Sequence, residues 1–333
     1  MWVLSGGDSS EREVSLRSGA AVTRALERAS AAGAWVGEVA SVVLQEDGRW
    51  STPSGLTTEL EALSMLTEDH VAFIALHGGR GEDGRLQAVL ESAGARYTGS
   101  GPAASTLCMD KRAARSVFVD EGLRVPHGRL VSTLSSEDSD AGLLLRELEE
   151  LSQGGAGWFV KPNTGGSSEG VSYVERASDL LPAVARVLEG GDRALVEARV
   201  MGLEVSVGVI GRTGHDLRAL PTVEIRPRSS GWFDVEEKYS DAGALEVCPP
   251  ELVAPGVDEE LRIAALKAHV GMGCHSHSRT DFIVREDGIF FALEINTIPG
   301  MTERSLLPLE AAAAGMEYDA LCLELLRLAG PHD

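Results

Sequence analysis

The amino-terminal third of the chain alternates short apolar runs with glycine-rich turns and helical patterns. The apolar segment Trp2–Ser5 leads through two glycines into a helical stretch, where Ser10 and Glu13 have capping-box spacing. A second apolar segment, Val71–Leu76, leads into a glycine-rich loop and another helical pattern. Strands that alternate with helices form parallel sheets, and ligands gather at the carboxyl ends of such strands. Both glycine loops are therefore expected at a ligand-binding edge.

Beyond Gly99–Pro102 the pattern changes from alternating elements to helices followed by strands. A helix is predicted over Lys111–Glu121, and a leucine-rich helix follows it. The later strand patterns are Trp158–Val160, Ala194–Glu197, Glu204–Ile210, Arg279–Val284 and Ile289–Glu294. We therefore expect an α/β (α+β) protein with a parallel amino-terminal part and antiparallel sheets after it.

Length and composition narrow the class of protein. The chain has 333 residues, which predicts two or three packed units. It contains no apolar run near the ~18 residues that cross a bilayer. The first residues lack the basic start and apolar stretch of a signal peptide, which predicts a cytoplasmic protein without a membrane partner.

Charge and cysteine usage exclude further classes. The formal net charge is −21, and a field of that sign repels nucleic acid and anionic lipid. The four cysteines are scattered without a close pair, so neither a disulfide framework nor a zinc site is expected. The run Cys274–His277 resembles a soft-metal cluster only superficially, because it has no distant partner ligands.

The segment Arg279–Asn296 carries the sharpest chemical pattern. Its Asp287-Gly288 dipeptide between two β-rich runs is typical of a two-residue hairpin turn. Counting outward from that turn places Asp281 opposite Glu294, and Arg279 opposite Asn296, on one polar face. The opposite face is expected to be core and carries Phe282, Val284, Phe291, Leu293 and Ile295.

Two directly opposed carboxylates lie roughly 5 Å apart at Cβ and repel each other unless something neutralises them. A hard divalent cation with oxygen ligands, Asn296 included, meets that need, and Mg²⁺ carrying nucleotide phosphates is the usual case. A solvated sheet face that tolerates two acids is the alternative. Spacing alone leaves both interpretations open.

A second pattern is a strand that ends in Lys161 and is followed by a Gly/Ser-rich loop through Gly170. Backbone N–H groups and serine hydroxyls on such a loop can surround phosphate oxygens, while the lysine supplies positive charge. An ordinary surface turn is the alternative, since no P-loop pattern occurs.

Taken together, the motifs of this chain resemble those of the D-alanine–D-alanine ligases, over nearly its whole length. In chain order they are Ser10–Ser15, Ala75–Gly78, Gly81–Gly84, Tyr97–Gly101, Met109–Lys111, Val160–Pro162, Gly166–Ser168, Glu237–Ser240, Arg279–Asp281 and Glu294–Thr302. Each motif alone is weak, but their order and extent make the resemblance specific.

The resemblance implies a three-domain ATP-grasp fold. Its parts would be an amino-terminal parallel α/β domain at residues 1–100, a central subdomain at 101–197 and a carboxyl-terminal subdomain at 198–333. The implied substrates are D-alanine and ATP, and the implied cofactor is Mg²⁺, as two ions with Mn²⁺ as a substitute. The resemblance further implies a homodimer that serves peptidoglycan synthesis in a bacterial cytoplasm.

The resemblance assigns a first substrate site near the amino terminus. Glu11 would hold the ammonium group of the first D-alanine, with Ser167 and Tyr239 across the site, and His77 would lie beside it. Without the resemblance, Glu11 is an exposed capping acid, and a single histidine at a strand end is structural.

The resemblance also assigns a larger set of residues to the nucleotide and its metals. Lys111, Lys161 and Lys238 would neutralise the triphosphate, with Ser168 on the phosphate loop; Glu197, Glu204 and the backbone at Val200 would bind adenine and ribose; Asp281, Glu294 and Asn296 would hold the Mg²⁺ ions. For the metal ligands, the resemblance agrees with the count along the hairpin.

The implied reaction makes an acyl phosphate on the first D-alanine, which the amine of the second attacks. Arg279 and the backbone N–H of Gly300 would donate to the oxyanion. Ser305 and Leu306 would receive the second substrate's carboxylate and methyl group. Because water would hydrolyse the acyl phosphate, a lid is expected, and the polar segment Trp232–Pro249 is its candidate.

Two positions depart from the family pattern. Glu169 adds a carboxylate to the phosphate loop and is expected to face solvent. Ala198 follows Glu197 where the family has a longer polar side chain, which predicts weaker contacts to adenine.

Two alternatives to D-alanyl-D-alanine synthesis stay open on the residues. A sister ligase would make D-alanyl-D-lactate or D-alanyl-D-serine, although Tyr239 and Leu306 favour D-alanine. A non-catalytic ATP-binding regulator is the other alternative, against which the full set of charged residues argues.

Overall fold

The computed structural model of the chain describes residues 1–35, 37–67, 69–134, 138–151, 156–166, 169–226 and 244–330. These residues form three sheets with helices packed against them, so the predicted mixed α/β class is confirmed. No helix within the described ranges is long and apolar enough to cross a membrane. The division at residues 100 and 197 stays a prediction.

The first sheet contains the amino-terminal strands. Its elements are β1 (Trp2–Gly6), α1 (Arg12–Ala31), β2 (Ala40–Leu44), β3 (Trp50–Thr52), β4 (Gly55–Thr57), α2 (Glu59–Ser64), β5 (Val71–Ile74), α3 (Arg85–Ser92) and β6 (Arg96–Tyr97). The strand order is β4-β3-β2-β1-β5-β6, and β1 pairs in parallel with β2 and β5. The predicted parallel pairing is confirmed.

Both faces of this sheet are covered because alternate residues of β1 point in opposite directions. Val3 belongs to the core cluster that contains Leu26 of α1, whereas Leu4 belongs to the cluster that contains Leu86 of α3. With both faces packed, ligands can reach β1 and β5 only at the strand ends, where the glycine loops lie.

The predicted capping box at the start of α1 is wrong. The N-cap residue is Glu11, and its side chain makes no cap hydrogen bond. Ser10 does not cap the helix because its hydroxyl donates to Glu169 Oε2 at 2.5 Å instead. The Ser10–Glu169 hydrogen bond, between residues distant in sequence, therefore replaces the predicted capping interaction.

The second sheet follows two linking helices, α4 (Pro102–Met109) and α5 (Lys111–Asp120). Its elements are β7 (Gly128–Val131), α6 (Asp138–Leu151), β8 (Trp158–Pro162), β9 (Ser172–Val174), α7 (Leu180–Glu189) and β10 (Ala194–Ala198). The antiparallel order is β7-β10-β8-β9. The α5 helix begins where predicted, because the Asp110 side chain accepts the Ala113 N–H at 2.9 Å.

The third sheet is also antiparallel. Its elements are β11 (Leu203–Gly211), β12 (Arg218–Ala219), β13 (Val223–Arg226), β14 (Leu245–Val247), α8 (Pro255–Gly271), β15 (Ser276–Val284), β16 (Phe290–Asn296), α9 (Leu306–Ala313) and α10 (Tyr318–Leu328). The order is β14-β13-β11-β15-β16, with β12 beside β11. One face packs on α8 and α5 through Phe282, Leu261 and Phe118, which leaves the other face for chemistry.

The β15–β16 hairpin confirms the predicted pairs and corrects the predicted turn. Asp281 lies opposite Glu294, and Arg279 lies opposite Asn296. The turn, however, is a three-residue loop closed by the Arg285 N–H donating to Ile289 O. A register shift between Asp281 and Phe282 restores the predicted alignment.

This irregularity changes which side chains are core. Phe282, Val284 and Ile295 are buried as predicted. Leu293, placed in the core by the sequence count, instead lines the cavity described below, and Phe291 is only half-buried. A β-bulge shifts the alternation of side chains by one residue, which accounts for both errors.

The histidines near the start of β15 form a buried polar layer rather than a recognisable metal cluster. His269 Nδ1 and Ser278 Oγ lie 2.8 Å apart, and His277 is almost fully buried. Burial lowers the pKa of His277 to about 4 and that of His269 to about 3. The described residues contain no group of three or more His, Cys, Asp or Glu arranged to hold a metal.

Because these histidines are buried in the neutral form, we expect the folded protein to lose stability in acid. The unfolded chain binds protons near pH 6.5, whereas folded His277 does so only near pH 4, so stability is full above the first value and falls toward the second. We expect the free energy of unfolding to drop by about 2 kcal/mol per histidine between about pH 7.5 and pH 5. Denaturant titrations of wild type and His277→Asn measure this, and the variant should lose one such contribution. The exposed His215→Asn is the control; equal pH dependence in all three proteins would contradict the burial argument.

Candidate active site

A cavity of about 240 Å³ lies between the second and third sheets. Its walls come from β8, β10, β11, β15 and β16 and from the segments that connect them. The predicted site residues among its lining are Lys111, Lys161, Glu197, Val200, Glu204, Asp281 and Glu294. Residues far apart in sequence, assigned to nucleotide and metal, thus meet in one place.

The period-two alternation of β8 aims side chains into this cavity. Trp158 and Val160 are buried in the core of the second sheet, whereas Phe159 and Lys161 line the cavity. Phe159 was not predicted as a site residue, although the same alternation that places Lys161 also places Phe159. Together with Ile283 it supplies an apolar wall that suits a flat ring.

A buried carboxylate organises the cations on one side of the cavity. Glu197 is 2% exposed and forms ion pairs with both Lys161 and Arg115. Arg115 also donates to Pro126 O at 2.5 Å. The carboxylate is important to both cations, because its removal would leave two largely buried positive charges close together without compensation.

Arg115 is a functional neighbour that the sequence reasoning missed. It lies four residues after Lys111 on α5, and both side chains are buried on the same helix face. That spacing of two cations on an otherwise apolar face was the available signal.

Lys111 connects the two sides of the cavity. Its Nζ donates to Gly165 O at 2.5 Å and lies 3.8 Å from Glu294 Oε2. Burial lowers the pKa of Lys111, while the charge of Glu294 acts in the opposite direction. An incoming anion would therefore find a desolvated ammonium group already directed at it.

The opposed carboxylates on β15 and β16 are neutralised by protein cations. Arg279 donates from Nε to Asp281 Oδ1 at 2.9 Å and from Nη2 to Oδ2 at 2.8 Å. Ser206 Oγ also donates to Oδ1 at 2.6 Å. Burial works against the charge of Arg279, but Asp281 outweighs it and raises the pKa of the guanidinium.

The donor set on this face fits a hard cation that carries phosphates. Asp281 and Glu294 offer carboxylate oxygens from neighbouring strands, and the Asn296 side chain follows two residues after Glu294. Asn296 Oδ1 accepts the Ile298 N–H at 2.8 Å, which fixes the amide oxygen. Three oxygen donors leave the remaining coordination positions to phosphate oxygens and water, as Mg²⁺ prefers.

Glu11 and His77 lie at the carboxyl ends of β1 and β5. A side-chain carbon on Gly78 or Gly166 would come within 2.7 Å or 3.0 Å of Glu11 Oε2, so a side chain at either position would have to displace this carboxylate. His77 Nε2 lies 2.9 Å from Ser18 Oγ. The acid thus lies between the amino-terminal loop and the phosphate loop.

Glu82 lies beside His77 and was not among the predicted site residues. His77 Nδ1 lies 3.6 Å from Glu82 Oε1, a buried acid that the sequence reasoning did not single out although its motif was noted. Ser167, Ser168, Lys238 and Tyr239 lie outside the described residues, as does most of the lid candidate.

The N-terminus of α9 presents the residues predicted for the second substrate. Ser305 is the N-cap residue, and its Oγ accepts the Thr302 N–H at 3.1 Å. A side-chain carbon on Gly300 would lie 2.8 Å from Ser305 Oγ, so a side chain there would have to displace the serine hydroxyl. Leu306 packs with Val223. A helix N-terminus of this kind favours a carboxylate.

The two departures from the family pattern both line the cavity. Glu169 is exposed, as expected, yet it lies at the cavity and accepts the hydroxyl of Ser10. Its carboxylate therefore does not point wholly away from the site. Ala198 also lines the cavity, and its N–H donates to His127 O at 2.8 Å.

Comparison with known proteins connects this geometry to a family. Residues 1–100 match the family model "D-ala D-ala ligase N-terminus", and residues 133–327 match "D-ala D-ala ligase C-terminus". The D-alanine–D-alanine ligase of Nitratidesulfovibrio vulgaris Hildenborough is 39% identical over 327 residues, covering 98% of this chain and 96% of that protein.

Solved structures agree with the sequence matches. The D-alanine–D-alanine ligase of Bacillus anthracis complexed with ATP is similar, with a TM-score of 0.76, 27% identity, and coverage of 98% of this chain and 96% of that one. The VanG D-Ala:D-Ser ligase of Enterococcus faecalis is also similar, with a TM-score of 0.80, 25% identity, and 98% of each chain covered.

Proposed function

The chain belongs to the D-alanine–D-alanine ligase family and has its ATP-grasp fold, and we propose from this premise that it joins two D-alanine molecules with ATP as the energy source. The observation that carries the proposal is the convergence of Lys111, Lys161, Asp281 and Glu294 on one cavity. The cations suit a triphosphate, and the opposed acids suit its metal.

ATP would occupy the cavity between the second and third sheets. Phe159 and Ile283 would cover the faces of adenine, the backbone at Val200 would pair with its edge, and Glu204 would accept from the ribose. Lys111 and Lys161 would neutralise the phosphates, joined by Ser168 and Lys238. Glu197 is held by Lys161 and Arg115, so its role would be to fix those cations as well as to meet adenine.

Asp281, Glu294 and Asn296 would hold Mg²⁺, as two ions with Mn²⁺ as a substitute. When bound, the metal lowers the charge on the phosphoryl group and orients it. The protein's own contribution is a fixed oxygen set, which Ser206 and the Ile298 N–H orient through hydrogen bonds.

The first step activates a carboxylate that is otherwise a poor acyl donor. Glu11 would bind the ammonium group of the first D-alanine, with His77 beside it and Ser167 and Tyr239 opposite. The substrate carboxylate oxygen forms a bond to the γ-phosphorus of ATP, and the bond from that phosphorus to ADP breaks. The result is D-alanyl phosphate and ADP.

The second step forms the peptide bond. Ser305 and Leu306 at the N-terminus of α9 would hold the second D-alanine, whose amine, having lost a proton, attacks the acyl carbon. Arg279 and the Gly300 N–H would donate to the tetrahedral oxyanion. The bond from the acyl carbon to the phosphate oxygen then breaks, and phosphate leaves with the electron pair.

The product would serve peptidoglycan synthesis in a bacterial cytoplasm, and a homodimer, which the family resemblance implies, is part of the proposal. Sister ligases that make D-alanyl-D-serine or D-alanyl-D-lactate are less favoured. A relative named D-alanine–D-alanine ligase is 39% identical over 327 residues, and residues 1–100 and 133–327 match D-ala D-ala ligase family models.

Phosphate release tests the proposal, with products identified by mass spectrometry. Purified protein receives ATP and Mg²⁺ with D-alanine alone, with L-alanine alone, or with D-alanine paired with D-serine or D-lactate. Release with D-alanine alone, yielding the dipeptide, supports the proposal. Release confined to a mixed pair, or absent from every mixture despite ATP binding, would overturn it.

Substitution of Arg279 by alanine should lower kcat by about 10²–10³, the usual effect of losing an oxyanion donor. Arg279→Lys keeps the charge but loses the bidentate contact to Asp281, so it should retain part of the activity. Steady-state kinetics measure both variants. Wild-type kcat in Arg279→Ala would exclude the assigned role.

Substitution of Glu294 by alanine should abolish metal-dependent turnover, because it removes one of the two opposed carboxylates. The conservative Glu294→Asp should need more Mg²⁺ for half-maximal activity, since its carboxylate is set back by one methylene group. The measurement is the Mg²⁺ dependence of initial rates. Glu286→Ala, on the exposed turn, is the control. Unchanged Mg²⁺ dependence in both Glu294 variants would argue against the metal site.

A further inference from the structure

Glu310 is a buried acid that the mechanism above does not use. It lies on α9, four residues after Leu306 and therefore on the same helix face. Its side chain is fully buried, and within the part of the chain that the structure describes neither carboxylate oxygen has a hydrogen-bond partner of good geometry, although the backbone of Gly208 is close enough to oppose the rise in the pKa of Glu310 that burial causes. Almost all buried carboxyl groups are hydrogen-bonded, so this one requires an explanation.

The carboxylate occupies the place of a missing side chain on β11. A side-chain carbon at Gly208 would collide with Glu310 Oε2 and with Leu307. Gly208 lies directly opposite Arg279 in the β11–β15 pairing. Because opposed residues in an antiparallel pair project to the same face, the Glu310 carboxylate takes the position of a cross-strand neighbour of Arg279.

The surroundings of the Glu310 carboxyl group disfavour its charged form. Burial raises the pKa of Glu310 well above its usual range, and Arg279 opposes that effect. Leu307 and Leu220, which also crowd Gly208, are fully buried apolar neighbours. An apolar residue of similar size would fit such a place better, which indicates that the acid serves a purpose other than stability.

Arg279 and Asp281 have two tasks that compete. In this structure the guanidinium donates from both Nε and Nη2 to Asp281, whose Oδ1 also accepts from Ser206. Three of the roughly four lone-pair positions on that carboxylate are thereby filled. Asp281 must release an Arg279 contact to hold a metal fully, and a buried guanidinium that loses its carboxylate is strongly destabilised unless another is near.

We propose that Glu310 is a positioning residue that receives the Arg279 guanidinium when Asp281 turns to the metal–nucleotide complex. The inference rests on the proposed function, since it assumes the metal and oxyanion roles given above. Glu310 would keep Arg279 on the site face of the third sheet, between the metal ligands and the N-terminus of α9. It acts through Arg279 and does not itself touch substrate.

Two variants and a control test this role. Glu310→Gln keeps the shape and removes the charge, Glu310→Leu removes the acceptor as well, and exposed Glu317→Gln is the matched control. The first readout is Mn²⁺ binding to the full-length protein with a non-hydrolysable ATP analogue, followed by electron paramagnetic resonance. The second is the melting temperature without metal.

We expect Mn²⁺ affinity to fall by about tenfold or more in Glu310→Leu, the usual effect of losing an outer-shell partner. Glu310→Gln should lose less Mn²⁺ affinity than Glu310→Leu, because its amide oxygen can still accept from the guanidinium, although less strongly than a carboxylate does. The melting temperature of both variants should equal or exceed that of wild type, because a buried unpartnered acid has been removed. Glu317→Gln should match wild type in both readouts.

Unchanged Mn²⁺ affinity in both Glu310 variants would overturn the proposal. So would a lower melting temperature together with wild-type metal affinity, which is the result that a purely structural role gives. Neither readout needs turnover, so this inference can fail while D-alanine ligation by the wild type stands. Conversely, absence of ligation by the wild type in the product assay would overturn the proposed function without deciding the Mn²⁺ result.

Discussion

The pairing of Asp281 with Glu294 across two antiparallel strands is the constraint on which the site depends. Two carboxylates fixed this close repel each other, and the protein cannot separate them without breaking the β15–β16 register. In the described structure Arg279 and Lys111 supply the compensating charge. Both cations are also the groups that a triphosphate and an oxyanion would require. Charge balance and chemistry therefore involve the same side chains.

The cations at the cavity come from elements that are distant in sequence, and the packing of the second and third sheets brings them together. Lys111 begins α5 and lies beside the half-exposed Glu294, whereas Lys161 lies near the end of a strand of the second sheet and pairs with the buried Glu197. Glycines at positions 78 and 166 bring the amino-terminal loop against the phosphate loop, with Glu11 between them. The proposed site for the first substrate at Glu11 therefore lies beside the phosphate loop, whose Gly166 lines the nucleotide cavity.

Much of this could be predicted from the sequence, for identifiable reasons. Counting outward from the Asp287-Gly288 turn paired Asp281 with Glu294 correctly, even though the turn itself was wrong, because a longer loop and a bulge shift the register in opposite directions. The bulge could not be foreseen from the sequence, and it moves the side chain of Leu293 from the predicted core face to the cavity. Arg115 and Glu310 were missed because their importance comes from partners distant in sequence. The capping box at Ser10 failed for the same reason, since Glu169 competes for its hydroxyl.

Activation of a carboxylate by phosphorylation is the step on which the proposed function depends, and the fate of one oxygen atom is its most direct test. D-alanine labelled in its carboxylate with a heavy oxygen isotope is incubated with the enzyme, ATP and Mg²⁺, and the released phosphate is analysed by mass spectrometry. We expect one labelled oxygen in each phosphate, because the substrate oxygen that attacks phosphorus stays with it when the peptide bond forms. Dipeptide formation with unlabelled phosphate would contradict it.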